Sequence, residues 1–223
     1  MMLLKKITLI GLFMLAAIPA MAQQNLDPEY IKVTEERAAK IVDKLDLHDT
    51  KTQKEVTQTI AEQYQNLSRI QEKKEADVKE IMASALNEED QKAKVEKITA
   101  KSDKSITKLH KSYLKKLGKN LNEDQITAVK DGMTYNVMPN TYAAFQDMIP
   151  NLTAPQKKYI YDALVEAREH AMDAGTSKEK HAWFGKYKGR INNYLSKEGY
   201  DLNKESTDWH KRLEEKEKNK TKE

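Results

Sequence analysis

The sequence predicts an all-α protein, a multi-helix bundle in which a long antiparallel helical pair joins a compact C-terminal helical unit. Three observations predict it. Apolar residues recur at spacings of three and four along most of the chain instead of alternating. Seven glycines and five prolines, Gly11 and Pro19 among them in the N-terminal apolar segment, leave few turn makers for a sheet. Helix-start signatures, in which an Asn or Thr is followed three residues later by Gln or Glu, stand in front of several periodic segments.

The first element is a leader. Met1 to Lys6 is positively charged, Ile7 to Ile18 is apolar, and Ala20-Met21-Ala22 has the small-x-small form of a cleavage site. Residues 1–22 therefore read as a secretory signal peptide cut before Gln23. An apolar stretch of about 12 residues is short of the about 20 that span a bilayer, so no membrane anchor is expected. The chain has no cysteine, which excludes disulfides, thiolate metal sites and thiol redox chemistry and leaves the exported fold to rest on its core.

Residues 23–118 read as the long helical hairpin. Asp27-Pro28 is an N-cap followed by proline at the first helical position, and Tyr30, Val33, Ala38, Ile41 and Leu45 follow at helical spacing. Val56, Ile60, Tyr64, Leu67, Ile70, Val78 and Ile81 mark a second, long helix with a break expected near Glu75. Asn87 to Asp90 starts a third, whose stripe of Val95, Ile98, Ile106, Leu109, Tyr113 and Leu117 runs to Gly118 as the expected C′ residue. Lys and Glu on the remaining faces read as a solvated surface, His48 and His110 included.

Residues 119–213 read as the compact unit. Leu121-Asn-Glu-Asp-Gln125 and Leu152-Thr-Ala-Pro-Gln156 each place a leucine before a capping box, and Leu45 to Asp49 is a degenerate third copy. The first box opens a short helix ending near Asp131-Gly132, where glycine permits positive φ. Met133 to Pro139 reads as a connecting loop, and Asn140 to Ile149 as a helix with Tyr142, Phe145 and Met148 inward, stopped before Pro150. Thr153 to Met172 forms a stronger helix. Thr176 and Glu179 cap the next, which runs to about Lys197 and closes at Gly199. A charged helix from about Asn203 carries Trp209 and Leu213, and residues 214–223 are expected to be a disordered Lys/Glu tail.

Without the leader's Lys5 and Lys6 the formal charge of +4 falls to about +2, too balanced for the concentrated basic face of a nucleic-acid binder. Two resemblances bear on function. The Leu-Thr-x-x-Gln signature behind a signal peptide resembles that of periplasmic all-helical stress chaperones. Val129-Lys-Asp-Gly-Met-Thr-Tyr135, Ala167-Arg-Glu-His-Ala-Met-Asp-Ala-Gly175, His181 to Leu195 and Gly199-Tyr-Asp201 are similar to motifs of a secreted bacterial helical family known only as a domain of unknown function. The latter resemblance implies sugar binding in a polysaccharide-utilisation context, and it brings no catalytic residues with it.

The residues themselves point to the stretch Ala182 to Tyr194. It holds Gly185 and Gly189 four apart on one helix face, with four aromatics, three cations and Asn192-Asn193. Two interior helical glycines forfeit roughly 2 kcal/mol relative to alanine, so a closely packed backbone or a ligand is expected against them. Sugars stack their C–H faces on aromatic rings and pair their hydroxyls with amide, carboxylate and guanidinium groups. Phe184 and Ile191 belong to the apolar stripe, whereas Trp183, Lys186, Arg190 and Asn193 fall on another face.

The expected ligand is a carbohydrate, held by Trp183, Tyr187, Arg190 and Asn193 with Asp131, Tyr135, Glu169 and His170 as neighbours. Asp131 to Tyr135 reads either as a loop presenting polar groups or as a plain helix C-terminus with Met133 packed. Glu166 and His170, an i,i+4 pair, could hold a divalent metal only if His181 joined them, and a salt-bridged Arg–Glu lattice tying this helix to the glycine-bearing one is the preferred reading. No metal or cofactor is called for. Two other functions compete: a chaperone-like binder of unfolded proteins, from the capped leucine repeats and long amphipathic helices, and a glycan-active enzyme using Glu166, Glu169 or Asp173, which needs two carboxylates roughly 5 to 10 Å apart in one cleft.

Overall fold

The structure, a computed structural model, describes residues 26–220, so the expected signal peptide lies outside the described residues. Eight helices and no strand occur among them: α1 (Pro28–Val42), α2 (Thr50–Met82), α3 (Glu88–Leu117), α4 (Glu123–Met133), α5 (Val137–Met148), α6 (Ala154–Met172), α7 (Ser177–Lys197) and α8 (Leu202–Lys220). The protein is an all-α multi-helix fold.

Local capping chemistry explains the starts. Asn122 with Gln125, Thr153 with Gln156 and Thr176 with Glu179 each form a complete capping box, satisfying two orphan donors reciprocally. Asp49 caps α2 through the Thr52 N–H at 2.8 Å, but without a reach-back partner, so the degenerate copy is half a box. Helix α2 runs unbroken past Glu75. That segment has no Gly or Pro, and Gln71–Glu75 and Lys73–Asp77 contacts at i,i+4 span it.

The region after α4 departs from expectation. Gly132 stays inside α4, Gly118 is right-handed at φ −65°, and the left-handed residues are Tyr135 and Asn136, at φ 60° and 56°. The connection shrinks to Thr134–Asn136 because Pro139 sits in the first turn of α5, where its missing N–H has no intrahelical partner to lose. At the other end, α8 continues beyond Leu213 to Lys220. Trp209 Nε1 holds it to α5 by donating to Asp147 Oδ2 at 2.7 Å.

α2 and α3 form the long hairpin, and α1 packs on α2. Ala38, Ile41, Val56, Ile60, Tyr113 and Leu117 build one hydrophobic cluster, which also takes Val129 and Met133 of α4 and Met172 of α6. Phe145, Ile160, Leu164, Phe184, Ile191 and Leu195 build the second, on α5, α6 and α7. The cores thus divide after α4, and α4 joins the helices before it.

A polar seam crosses between α3, α4 and α6. Arg168, 5% exposed, donates from Nη1 to Asp131 Oδ1 at 2.8 Å and from Nη2 to Glu169 Oε1 at 3.4 Å. Lys130 donates to Glu169 Oε2 at 2.8 Å, and His110 Nδ1 lies 2.8 Å from Asp173 Oδ2. Helix α6 is thus joined to α4 through Arg168 and Lys130 and to α3 through His110, while its Arg–Glu link to the glycine-bearing α7 is the exposed Arg190–Glu166 pair at 3.6 Å. His110 is not a free surface residue. Its hydrogen bond to Asp173, with the nearby Asp173 and Glu169 charges, raises it above its ordinary 6.5 despite partial burial.

The glycine notch is also corrected. A Cβ built on Gly185 or Gly189 meets nothing within 4 Å, whereas one on Gly132 lies 2.9 Å from Ile41 Cγ1 and 3.2 Å from Ile41 Cγ2. The close approach that needs a glycine is between α4 and α1, and nothing in the structure explains the two glycines of α7. Gly185→Ala and Gly189→Ala are each expected to raise the unfolding free energy by up to about 1 kcal/mol in urea denaturation, and Gly132→Ala to lower it by about 1–3 kcal/mol through overpacking. The reverse order would restore the notch to α7.

A group whose pKa is raised on folding contributes stability fully below its unfolded value and loses it as the pH climbs through the folded value. Wild type should exceed His110→Gln in unfolding free energy by about 1 kcal/mol below pH 6.5, and the difference should narrow at higher pH. A difference that grows with pH would contradict the His110–Asp173 pairing.

Candidate functional site

A concavity with convergent polar groups lies between α1, α2, α4 and the start of α7, and encloses about 500 Å³, within the range of small-ligand pockets. Helical spacing sets its walls. Tyr30, Arg37, Ile41 and Lys44 recur at sevens, fours and threes, so α1 turns one face to it. Tyr64 enters from α2, Asp131 and Gly132 from α4, and Lys180 from α7. Tyr135 and Asn136 close one side.

The left-handed pair aims Tyr135. A tyrosine at positive φ is a true outlier, and such a residue costs about 1–3 kcal/mol and persists only where its surroundings hold it. Three backbone bonds do so: Thr134 and Asn136 N–H both donate to the Asp131 carbonyl, at 3.1 and 2.8 Å, and Tyr135 N–H donates to Gly132 at 3.3 Å. Tyr135 is 46% exposed, and its ring stacks on His181 with centroids 5.6 Å apart and planes 9° apart.

Lys180 is the other unusual group. It is 4% exposed, and its ammonium donates to the carbonyls of Ala171 and Met172 at 3.0 and 3.2 Å, in the last turn of α6. It lies 5.9 Å from the Tyr64 ring centroid. Burial draws its pKa down to about 8, against the opposing pull of Asp173 and Glu179. Burial also pushes the Tyr64 hydroxyl far above its usual range, with Tyr135 adding to the effect.

The eight residues expected to bind do not share one site. Asp131 and Tyr135 line the cavity. Glu169 belongs to the polar seam. His170, Trp183, Tyr187 and Arg190 form a ladder on the outer side of α6 and α7: the His170 ring stacks on Trp183 at 4.3 Å, Lys186 Nζ lies 4.8 Å from the Trp183 centroid, and the Arg190 guanidinium lies 4.7 Å from Tyr187 and 3.6 Å from Glu166. Tyr187 itself is 3% exposed, and Asn193 is exposed apart from both groups.

Glu166, His170 and His181 do not converge, since each faces a different partner. Among the described residues no group of three or more His, Asp or Glu side chains is arranged to hold a metal ion. Of the carboxylates considered for glycan cleavage, Glu166 lies 3.6 Å from Arg190 on the ladder, while Glu169 and Asp173 both lie against His110 in the seam, at 3.9 and 2.8 Å. Asp131 is the one acid among the cavity's lining residues.

Sequence reading missed Tyr30, Arg37, Tyr64 and Lys180. A signal existed for the last. The apolar stripe Leu195, Ile191, Tyr187, Phe184 extends back four places onto Lys180, a cation on the core face of its helix. The α1 and α2 residues carry no such mark, because Tyr30 and Tyr64 read as members of the apolar stripes and Arg37 as one more charge on an amphipathic helix.

Among the described residues no helix is long and apolar enough to cross a membrane. No curated protein matches the chain. The family described as "Protein of unknown function (DUF3826)" matches residues 31–215, a span that takes in every wall of the cavity except Tyr30 as well as the seam and the ladder, and the chain belongs to that family.

Proposed function

We propose that the protein is an exported, non-catalytic carbohydrate-binding protein whose ligand enters the cavity between α1, α2, α4 and α7. The observation that carries this reading is the composition of its wall. Tyr30, Tyr64 and Tyr135 offer aromatic faces, while Asp131 and Asn136 offer acceptors and donors beside them, the combination that sugar C–H faces and hydroxyls require. Strain held at Tyr135 supports it, because backbone outliers cluster where a ligand is gripped.

The outer ladder is the weaker place for a sugar. His170 and Lys186 already lie against Trp183, and Arg190 lies over Tyr187, so a ligand would first have to displace these contacts. In the cavity Tyr135 is 46% exposed, and the stack on His181 occupies one face of its ring.

Isothermal titration of the folded protein against oligosaccharides from plant and host glycans tests the proposal. Binding is expected with at least one of them, reduced tenfold or more by Tyr135→Ala, a loss typical of a stacked ring, and unchanged by Trp183→Ala. No binding to any of them rejects the proposal. Loss on Trp183→Ala with none on Tyr135→Ala moves the site to the ladder.

A further inference from the structure

The cavity's charge is lopsided. Four basic side chains line it, Arg37, Lys40, Lys44 and Lys180, against the single acid Asp131. That acid is already neutralised, since Arg168 donates to it at 2.8 Å. Arg37, Lys40 and Lys44 have no ion pair among the described residues. The cations on the ladder differ: Arg190 has Glu166, and Lys186 has the Trp183 ring.

Lys180 is the decisive member. An ammonium has three donors, and two of them go to the Ala171 and Met172 carbonyls. The third has no protein acceptor among the described residues, on a side chain that lines the cavity. Arg37 acts on the same amine, its charge adding to the burial that disfavours the ammonium, against the larger opposing pull of Asp173 and Glu179. Two cations that repel one another across a partly desolvated space are relieved by an anion between them, and the interaction is stronger there than in bulk water. A neutral sugar gives no such relief.

Resting on the sugar-binding reading, we infer that the ligand is acidic: a saccharide whose ring carboxylate or sulfate group is seated between Arg37 and Lys180, with its apolar face against the cavity tyrosines. Carboxylate and sulfate share the chemistry that this pair recognises. Guanidinium matches the planar fork of either group, and the ammonium supplies a point charge.

The test is calorimetric titration of the full chain with length-matched panels of uronate, sulfated and neutral oligosaccharides, and with inorganic sulfate alone. At least one acidic panel is expected to bind tenfold or more tightly than its neutral counterpart, and to weaken as salt is raised. Arg37→Met should abolish that preference; Arg37 is exposed and unpaired, so the variant is expected to fold. Lys186→Met, on the ladder, serves as the control and should change nothing. A tighter uronate arm identifies the anion as carboxylate, and a tighter sulfated arm as sulfate. Neutral and acidic sugars bound equally, or a preference that survives Arg37→Met, overturns the inference and leaves sugar binding standing. Binding of no saccharide overturns both, as does inorganic sulfate bound as tightly as any acidic sugar.

Discussion

The burial of the Lys180 ammonium against the end of α6 is the constraint around which the site is built. Removing a cation from water is costly, and three features offset it: the two carbonyls to which it donates at 3.0 and 3.2 Å, the partial negative charge that accumulates at the C-terminus of a 19-residue helix, and the charges of Asp173 and Glu179. The offset is incomplete, as the fall of its pKa to about 8 records. What it achieves is geometric. By tying the last turn of α6 to the first turn of α7, across Ala174 and Gly175, the lysine fixes where α7 begins and turns that end of the helix toward Tyr64 of α2. A side chain belonging to the second core thereby forms a wall of a cavity whose other walls belong to the first.

The opposite wall depends on a steric constraint. Gly132 lets α4 approach Ile41 so closely that a Cβ would lie 2.9 Å from it. Asp131 is fixed by the same approach, and its carbonyl then receives both the Thr134 and Asn136 N–H groups. Its side chain is held from behind by Arg168. One residue is thus fastened at backbone and carboxylate together, which is why the chain tolerates two successive left-handed residues there. Tyr135 and Asn136 take that conformation because the α4 terminus leaves the backbone no other way to satisfy its donors while entering α5 at Val137.

The fold was largely legible in the sequence, because what fixes it is local. A capping box is a contact between residues three apart, and an apolar stripe is a property of one helix, so Asn122, Thr153 and Thr176 announce helix starts without knowledge of tertiary structure. The errors fall where local rules have several solutions. Gly132 satisfies a C-terminal pattern equally well as a left-handed terminator or as a spacer against another helix, and packing against Ile41 chose the second. Pro139 reads as a loop residue until the helix start moves three residues earlier, when it becomes a first-turn proline. His110 looked solvated because its partner, Asp173, is distant in sequence.

The candidate site was only partly legible for a related reason. Asp131 and Tyr135 stood out, but Arg37, Tyr64 and Lys180 reach the same space from three separate helices. Crowding of aromatics and cations along α7 drew attention to the helix where such residues are densest, yet density along one helix measures how a convex surface is decorated. On such a surface side chains i, i+3 and i+4 find one another, as Trp183, Lys186, Tyr187 and Arg190 do, and the groups saturate within their own neighbourhood. A concavity collects side chains from several helices whose charges have no local partner to find. The four cations around the cavity remain in excess because the acid that the helices bring into that space, Asp131, is already paired with Arg168, and an imbalance of this kind is visible only once the helices are packed together.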